Sequence, residues 1–362
     1  MRLKFIDGGY GDKDGIKNGI IIDPSTAGTV ELAPKFTSNG STLTVADSAD
    51  LISPAAIIVR ATISTNASSV NQIGYVAFNS NDSSTLITYD LLKERAELLF
   101  ANLENSSVPS GVPNVTGFNF SKNISVINGQ KLVFFELVDT TLEQLLAQSS
   151  SLTNFGTSLK ILDLTNTDNT SSVASNGGTS IKLNLINDAL GLGDIIAIES
   201  NNSPIFDFTS LSGISLTGSV TVAREAFYNS SIGFYKIERA DGTVLDKLTG
   251  ALVDPSDARY KEIALRSDNL FNGFGSLSIS ANGTSTAAPI ATFKDAGMIA
   301  PYGNVSITGE TFFAFAKANS DGLNHFRTLG TNVLGFEDTK GGFDLDHDDL
   351  ILNFNFNQQT IV

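Results

Sequence analysis

The stretch 335-GFEDTKGGFDLDHDDLILNFNF-356 contains the two features that organise this chain. Its second half, LILNFNF (350–356), alternates. Leu350, Leu352, Phe354 and Phe356 share one face, and Ile351, Asn353 and Asn355 the other, the period-two pattern of a strand lying on a core. Its first half crowds Glu337, Asp338, Asp344, Asp346, Asp348 and Asp349 into the residues directly before that strand. Like charges this close repel one another unless a cation sits among them.

Outward from this strand, most of the chain has the same grain. STLTV (41–45), AAIIVRATIS (55–64), ISVI (124–127), KLVFFELV (131–138), TSIKLNLI (179–186), DIIAIES (194–200), SVTVAREAF (219–227), IGFYKIE (232–238), SLSIS (276–280) and TFFAFAK (311–317) are rich in β-branched and aromatic residues. Asn, Gly, Asp and Ser clusters bound them, as turns bound strands. Three stretches carry helical spacing instead. YDLLKERAELLFANL (89–103) places Leu91, Leu92, Arg95, Leu98 and Leu99 on one stripe behind Asp90 as cap. Thr140 and Glu143 form a capping box ahead of QLLAQ, and DPSDARYKEIALRSDNLF (254–271) puts Pro255 early. The fold class expected is all-β: two tandem antiparallel β-sandwiches, jelly-roll-like, with short helical insertions.

An internal repeat sets the expected division. Ile73-Gly74-Tyr75 matches Ile232-Gly233-Phe234, and Tyr89, Arg95, Leu99 and Phe100 match Tyr260, Arg266, Leu270 and Phe271. A third anchor pairs Gly129 and Phe135 with Gly309 and Phe315. Chance likeness among strand-rich segments is the bland alternative. A duplication predicts sandwiches over 31–215 and 216–362, preceded by an Asp/Gly-rich segment, 1–30. The first copy lacks the acidic ending; its nearest candidate is AIESNNSPIFDFTS (197–210).

A hard cation such as Ca²⁺ takes six to eight oxygens, and Asp-x-Asp-x-Asp beside Gly341 and Gly342 can bring several to one point. The competing readings are a solvated acidic turn and a pair of catalytic carboxylates. A second loop lies in 7-DGGYGDKDGIKNGIIID-23. Asp12, Asp14, the Ile16 carbonyl, Asn18 and Asp23 fall at calcium-loop positions 1, 3, 5, 7 and 12, with Asp7 able to add an oxygen from outside. Lys17 stands where such loops carry glycine, and a linker turn is the alternative. His325 is expected to hydrogen-bond near the acidic loop, and Asn319 and Asp321 are further oxygen donors nearby.

Gly335-Phe336-Glu337-Asp338 followed by Gly341-Gly342-Phe343-Asp344-Leu345-Asp346-His347-Asp348-Asp349 resembles the signature of the bacterial DUF4114 family of extracellular proteins. REAFYNSSIGFY (224–235), DPSDARYKEIAL (254–265) and FFAFAKANSDGLNHFRTLGTN (312–332) agree with it, so the resemblance covers the C-terminal half. His347 stands in place of an aromatic and Asp348 in place of Asn. The N-terminal Asp/Gly loop is similar to segments near bacterial surface-anchoring signals. The resemblance implies a calcium-linked β-sandwich of a secreted or cell-surface protein and implies no catalytic activity.

The bulk numbers are consistent with this and narrow the rest. A net charge of −15 opposes nucleic acid and anionic lipid as partners and favours cations. No apolar run reaches the length of a membrane span, so no membrane insertion is expected. There is no Cys, so disulfides and thiolate metal sites are excluded. MRLKFIDGG lacks the apolar core of a signal peptide, so an exported chain would carry its signal elsewhere or be part of a longer one. Two histidines and no Gly-x-Ser-x-Gly or P-loop speak against an enzyme. The function expected is a calcium-stabilised structural or adhesive segment of the cell surface (surface layer, sheath, filament or adhesin). A separate reading is self-assembly by strand exchange between chains, through edge strands such as TLTV (42–45). The alternative is a calcium-dependent carbohydrate-binding module, against which the absence of Trp counts.

Overall fold

The structure, a computed structural model, describes residues 35–46, 57–65, 71–100, 121–148, 158–166, 168–176, 178–186, 203–341 and 347–359. The expected N-terminal segment with Asp7, Asp12, Asp14, Ile16, Asn18 and Asp23 lies outside them, as do Asp344, Asp346 and the stretch 194–200.

The first half runs β1 (Lys35–Asn39), β2 (Thr42–Ala46), β3 (Ile57–Thr65), β4 (Asn71–Phe78), α1 (Tyr89–Arg95), β5 (Ala96–Phe100), β6 (Ser121–Val126) and β7 (Lys131–Val138). It continues with α2 (Leu142–Gln148), β8 (Leu159–Ile161), β9 (Asp163–Asn166), β10 (Ser171–Ser175) and β11 (Ser180–Ile186). One sheet has the order β1-β2-β7-β4-β5 with β8 also on β7; the other has the order β6-β3-β11-β10-β9. All pairings are antiparallel. The apolar run KLVFFELV is explained by burial on both faces. Leu132 and Phe134 pack between the sheets with Val59, Ile73 and Ile181. Val133, Phe135 and Leu137 face the other way, under Leu92 of α1 and Leu142 and Leu145 of α2.

The second half runs β12 (Phe206–Asp207), β13 (Leu216–Arg224), β14 (Ser230–Ile237), β15 (Val244–Asp246), β16 (Ala251–Val253), α3 (Tyr260–Ala264) and β17 (Leu270–Phe271). Then follow β18 (Thr284–Phe293), β19 (Met298–Val305), β20 (Thr311–Phe313), β21 (Phe326–Gly330), β22 (Val333–Phe336) and β23 (Leu350–Gln358). Its sheets are β12-β19-β14-β17, with β20 on β19, and β18-β13-β23-β22-β21, beside a β15-β16 hairpin. Residues 203–215 belong physically to this half, since β12 pairs with β19 and Phe206 and Phe208 lie in its core. The core is built on phenylalanine. The Phe274 ring meets Phe234 at 4.8 Å, Phe271 at 5.0 Å and Phe354 at 5.2 Å between centroids. Aromatic pairs of this kind add about 0.5–1.5 kcal/mol each beyond area burial.

The two halves repeat one topology. β3, β4, α1, β5, β6, β7, β8, β9, β10 and β11 occupy the places of β13, β14, α3, β17, β18, β19, β20, β21, β22 and β23. One cross-strand pair carries the equivalence to the residue. Gly74 on β4 lies opposite Phe135 on β7, and Gly233 on β14 lies opposite Tyr302 on β19. A Cβ on Gly74 would stand 2.4 Å from the Phe135 ring, and one on Gly233 2.5 Å from the Tyr302 ring. In both sandwiches the aromatic ring lies over bare backbone, and this explains the shared Ile-Gly-aromatic motif. The third sequence anchor does not hold. Phe135 is on β7 but Phe315 follows β20, and the counterpart of β7 is β19.

Other expectations also change. The helix expected over 89–103 ends at Arg95, because Leu98, Leu99 and Phe100 gain two buried faces by pairing as β5 with β4. Its cap is Thr88, whose Oγ1 accepts from Leu91 N at 3.2 Å, rather than Asp90. The capping box moves by one residue: Gln144 N donates to Thr141 Oγ1 and Thr141 N to Gln144 Oε1. Of 254–271, only Tyr260–Ala264 is helical. SLSIS contributes only a bridge from Leu277 to Ile232, and TLTV is not an edge, for β2 is paired on both sides.

The sandwiches meet where β21 runs beside β5. Thr331 donates to Ser121 O through both its backbone N–H and its Oγ1, each at 2.5 Å. Arg327 is fully buried on β21, and burial pulls its guanidinium down to about 10. The apposition covers an edge strand of each sandwich.

Candidate metal centre

The acidic stretch follows β22, and the chain re-enters the sheet as β23. Phe336 bridges to Asp348 in parallel, and Glu225 N donates to Asp348 O at 3.3 Å. The approach is so close that a Cβ on Gly335 would stand 2.3 Å from His347 O. His347 re-enters with φ 60°, a left-handed conformation that a β-carbon disfavours. Its Nε2 donates to Asn324 O at 3.1 Å.

Four of the six expected acidic ligands of this loop are described. Glu337, Asp338 and Asp348 are buried, and Asp349 reaches back so that Asp338 N donates to its Oδ2 at 2.6 Å. Asp338 Oδ2 accepts from Ser230 Oγ at 2.9 Å. Asp338 Oδ1 is buried and accepts no hydrogen bond among the described residues, although Asp338 is only 1% exposed. Burial pushes this carboxyl above its ordinary value, against the hydrogen bonds from Ser230 and Asp349 and the charge of Arg224. A buried carboxylate oxygen without a donor costs free energy that a cation would recover. Glu337 is turned to the backbone: its Oε1 accepts from Thr339 N at 3.2 Å.

The neighbouring residues hold this corner in place. Arg224 is buried and spends its guanidinium on three carbonyls, Ser280, Ala226 and Tyr228, fixing the β13–β14 loop against it. His325 stacks on Phe312 at 3.6 Å between centroids. Its Nδ1 donates to Glu337 O at 2.8 Å, and its Nε2 meets Asp321 Oδ2 at 3.0 Å. Asp321 also accepts from Gly341 N, which ties down the start of the acidic stretch. Burial pulls Asp321 up, yet the amides of Gly341 and Leu323 and the His325 ring outweigh it and hold the carboxyl below its ordinary value. Asn319 is not a spare oxygen donor: Oδ1 accepts from Phe313 N, and Nδ2 donates to Phe313 O and Leu323 O.

Among the described residues no three His, Asp or Glu side chains converge as a metal site. A cation at the pair Asp338–Asp349 would therefore need further oxygens, and the sequence between them holds Asp344 and Asp346. Searches against family models, curated proteins and solved structures find no match to this chain.

The equivalent corner of the first sandwich went unnoticed in the sequence. Asn71 opens β4 as Ser230 opens β14, and it too donates to a buried carboxylate: Glu136 Oε1, at 2.6 Å. Thr179 Oγ1 adds a bond at 2.5 Å, and Asn176 Nδ2 binds the other oxygen. Glu136 lies opposite Ile73 on β7, and the matching position opposite Ile232 is Gly303. The first sandwich thus supplies its acid from a strand and closes the corner with a short turn at 176–179. The second supplies its acid from the long connection 337–349.

Proposed function

We propose that the chain is a calcium-stabilised structural or adhesive segment of an extracellular or cell-surface protein. The observation that supports this most directly is Asp338: buried, paired with Asp349, and holding an oxygen that no donor satisfies among the described residues. In this reading Asp338 and Asp349 are joined by Asp344 and Asp346, with Asp348 and Glu337 shaping the loop. A calcium ion there would neutralise the corner and hold β22 to β23. The likeness of the C-terminal half to DUF4114 supports the same reading, and the N-terminal loop from Asp7 to Asp23 is a second place for the ion. The reading is non-catalytic, with His325 and His347 committed to backbone and carboxylate partners. Calorimetric titration of the chelator-stripped chain with Ca²⁺ tests it. Heat of binding is expected for the wild type and, in a chain lacking 1–30, is lost in Asp344→Ala/Asp346→Ala. Equal heats for those two proteins would remove the C-terminal site.

A second reading is calcium-dependent carbohydrate binding. It is favoured by Phe227, 90% exposed on the loop that Arg224 holds beside the acidic corner. A glycan array read with Ca²⁺ and with chelator decides it, since this reading requires binding that Phe227→Ala abolishes.

A further inference from the structure

Sheet edges are where a β-protein meets other chains, because each presents a row of unpaired N–H and C=O groups. In this fold most edges are closed. β21 and β5 lie against each other, and so do β1 and β9, where Phe36 N donates to Asn169 O. β12, β17 and β20 are two or three residues long. β6 is largely buried, its first residue bound by Thr331 of the other sandwich, and it carries Lys122, whose Nζ donates to Leu98 O.

β18 differs from all of these. It is ten residues long, about 33 Å at the usual rise. It pairs with β13 on one side and, among the described residues, with nothing on the other. Seven of its ten residues are exposed, including the whole of 284–287, and TSTAAPIATF carries no charge. It is the counterpart of β6, whose first residue, Ser121, is bound by Thr331 of the other sandwich.

We propose that β18 is a self-association edge, and that its occupant is β18 of a second copy, paired antiparallel about a two-fold axis at Thr286. Such a pair places Thr284 opposite Ala288 and Ser285 opposite Ala287, all small and uncharged. Pro289 lacks an N–H and ends the pairing there, which limits the contact to one register rather than a sliding ladder. On a molecule of net charge −15, a charge-free strand is where two copies can approach. The occupant is a strand because only extended backbone satisfies an edge, and a second copy because an antiparallel edge is complementary to itself. The proposal goes beyond the calcium reading and does not depend on it.

The test is sedimentation equilibrium in chelator across the micromolar range, on the wild type and on Thr284→Lys/Thr286→Lys. The expected result is a doubling of mass in the wild type and its loss in the variant, with unchanged melting of the variant. The absence of native Cys allows a second measurement. Thr286→Cys should form a disulfide-linked dimer under mild oxidation, and Thr308→Cys, exposed on another loop, should not. A wild type that remains monomeric, a lysine variant that still dimerises, or equal cross-linking of both cysteine variants overturns the proposal.

Discussion

At matching corners the two sandwiches bury an acid in opposite ways. Glu136 is surrounded by neutral donors, Asn71, Thr179 and Asn176, delivered by one strand and one short turn. Asp338 draws on the side chains of Ser230 and Thr339 and lies beside a second carboxylate, Asp349, while its Oδ1 has no hydrogen-bond partner among the described residues. The first corner is complete as a hydrogen-bonded unit. The second leaves Asp338 Oδ1 without a hydrogen-bond partner among the described residues, a deficit that a cation would remove. Loop length separates them: the segment 176–179 contains no acid, whereas 337–349 contains six, Glu337, Asp338, Asp344, Asp346, Asp348 and Asp349.

The largest effect should come from breaking the closed corner. Glu136→Ala leaves its donors unmatched and is expected to destabilise the first sandwich by about 3–5 kcal/mol. The loss should be equal with Ca²⁺ and with chelator, as read by urea unfolding. A calcium-dependent loss would mean that the first corner also holds the ion.

Asp338→Asn sharpens the contrast, because its effect should change sign. In chelator the neutral amide removes a buried charge and raises the melting temperature. With Ca²⁺ at a hundred times its dissociation constant, the variant forfeits the linkage term, about 2.7 kcal/mol, and melts below the wild type. A shift of one sign in both conditions contradicts the metal assignment.

The equivalent donors should rank unequally. Asn71→Ala removes a bond to a buried acid with no cation to replace it, costing about 2 kcal/mol. Ser230→Ala should cost about 1 kcal/mol in Ca²⁺, where the ion shares the load. Equal costs would erase the distinction between the corners.

The smallest effect is on pH dependence. In chelator, burial has raised Asp338, so its contribution is fully present below the ordinary carboxylate pKa and lost as pH rises through its folded value. Asp246 runs the other way. Thr249 and Arg266 hold it at about 2, so its contribution is present above the ordinary value and lost as pH falls through about 2. Melting curves of wild type and Asp338→Asn in chelator, compared as pH falls from neutrality towards the ordinary carboxylate pKa, should therefore converge as Asp338 is protonated. A constant gap over that window would place the Asp338 titration elsewhere.

Much of this was legible in the sequence. LILNFNF and KLVFFELV are strands as their composition indicates, and Ile-Gly-aromatic marks equivalent strands because a glycine there lies under a ring. What could not be read was set by tertiary pairing. AELLF keeps helical spacing with the residues before it, yet its leucines are buried only as β5. TSTAAPIATF, with Ala and Pro, has little strand propensity and among the described residues is held by β13 alone. The third repeat anchor failed because phenylalanine is common in several strands of this protein. At the site, the acidic run and the role of His325 were visible, while the counterpart Glu136 was hidden in an apolar strand whose partners lie far away in sequence.

The measurement that tests the account most directly is hydrogen–deuterium exchange of the intact chain with Ca²⁺ and with chelator. The account predicts calcium-dependent slowing in β22, the start of β23 and the amides of Asp338 and Gly341, with β10 and β11 unchanged. Identical exchange at the second corner in both conditions, or equal slowing at both corners, would contradict it.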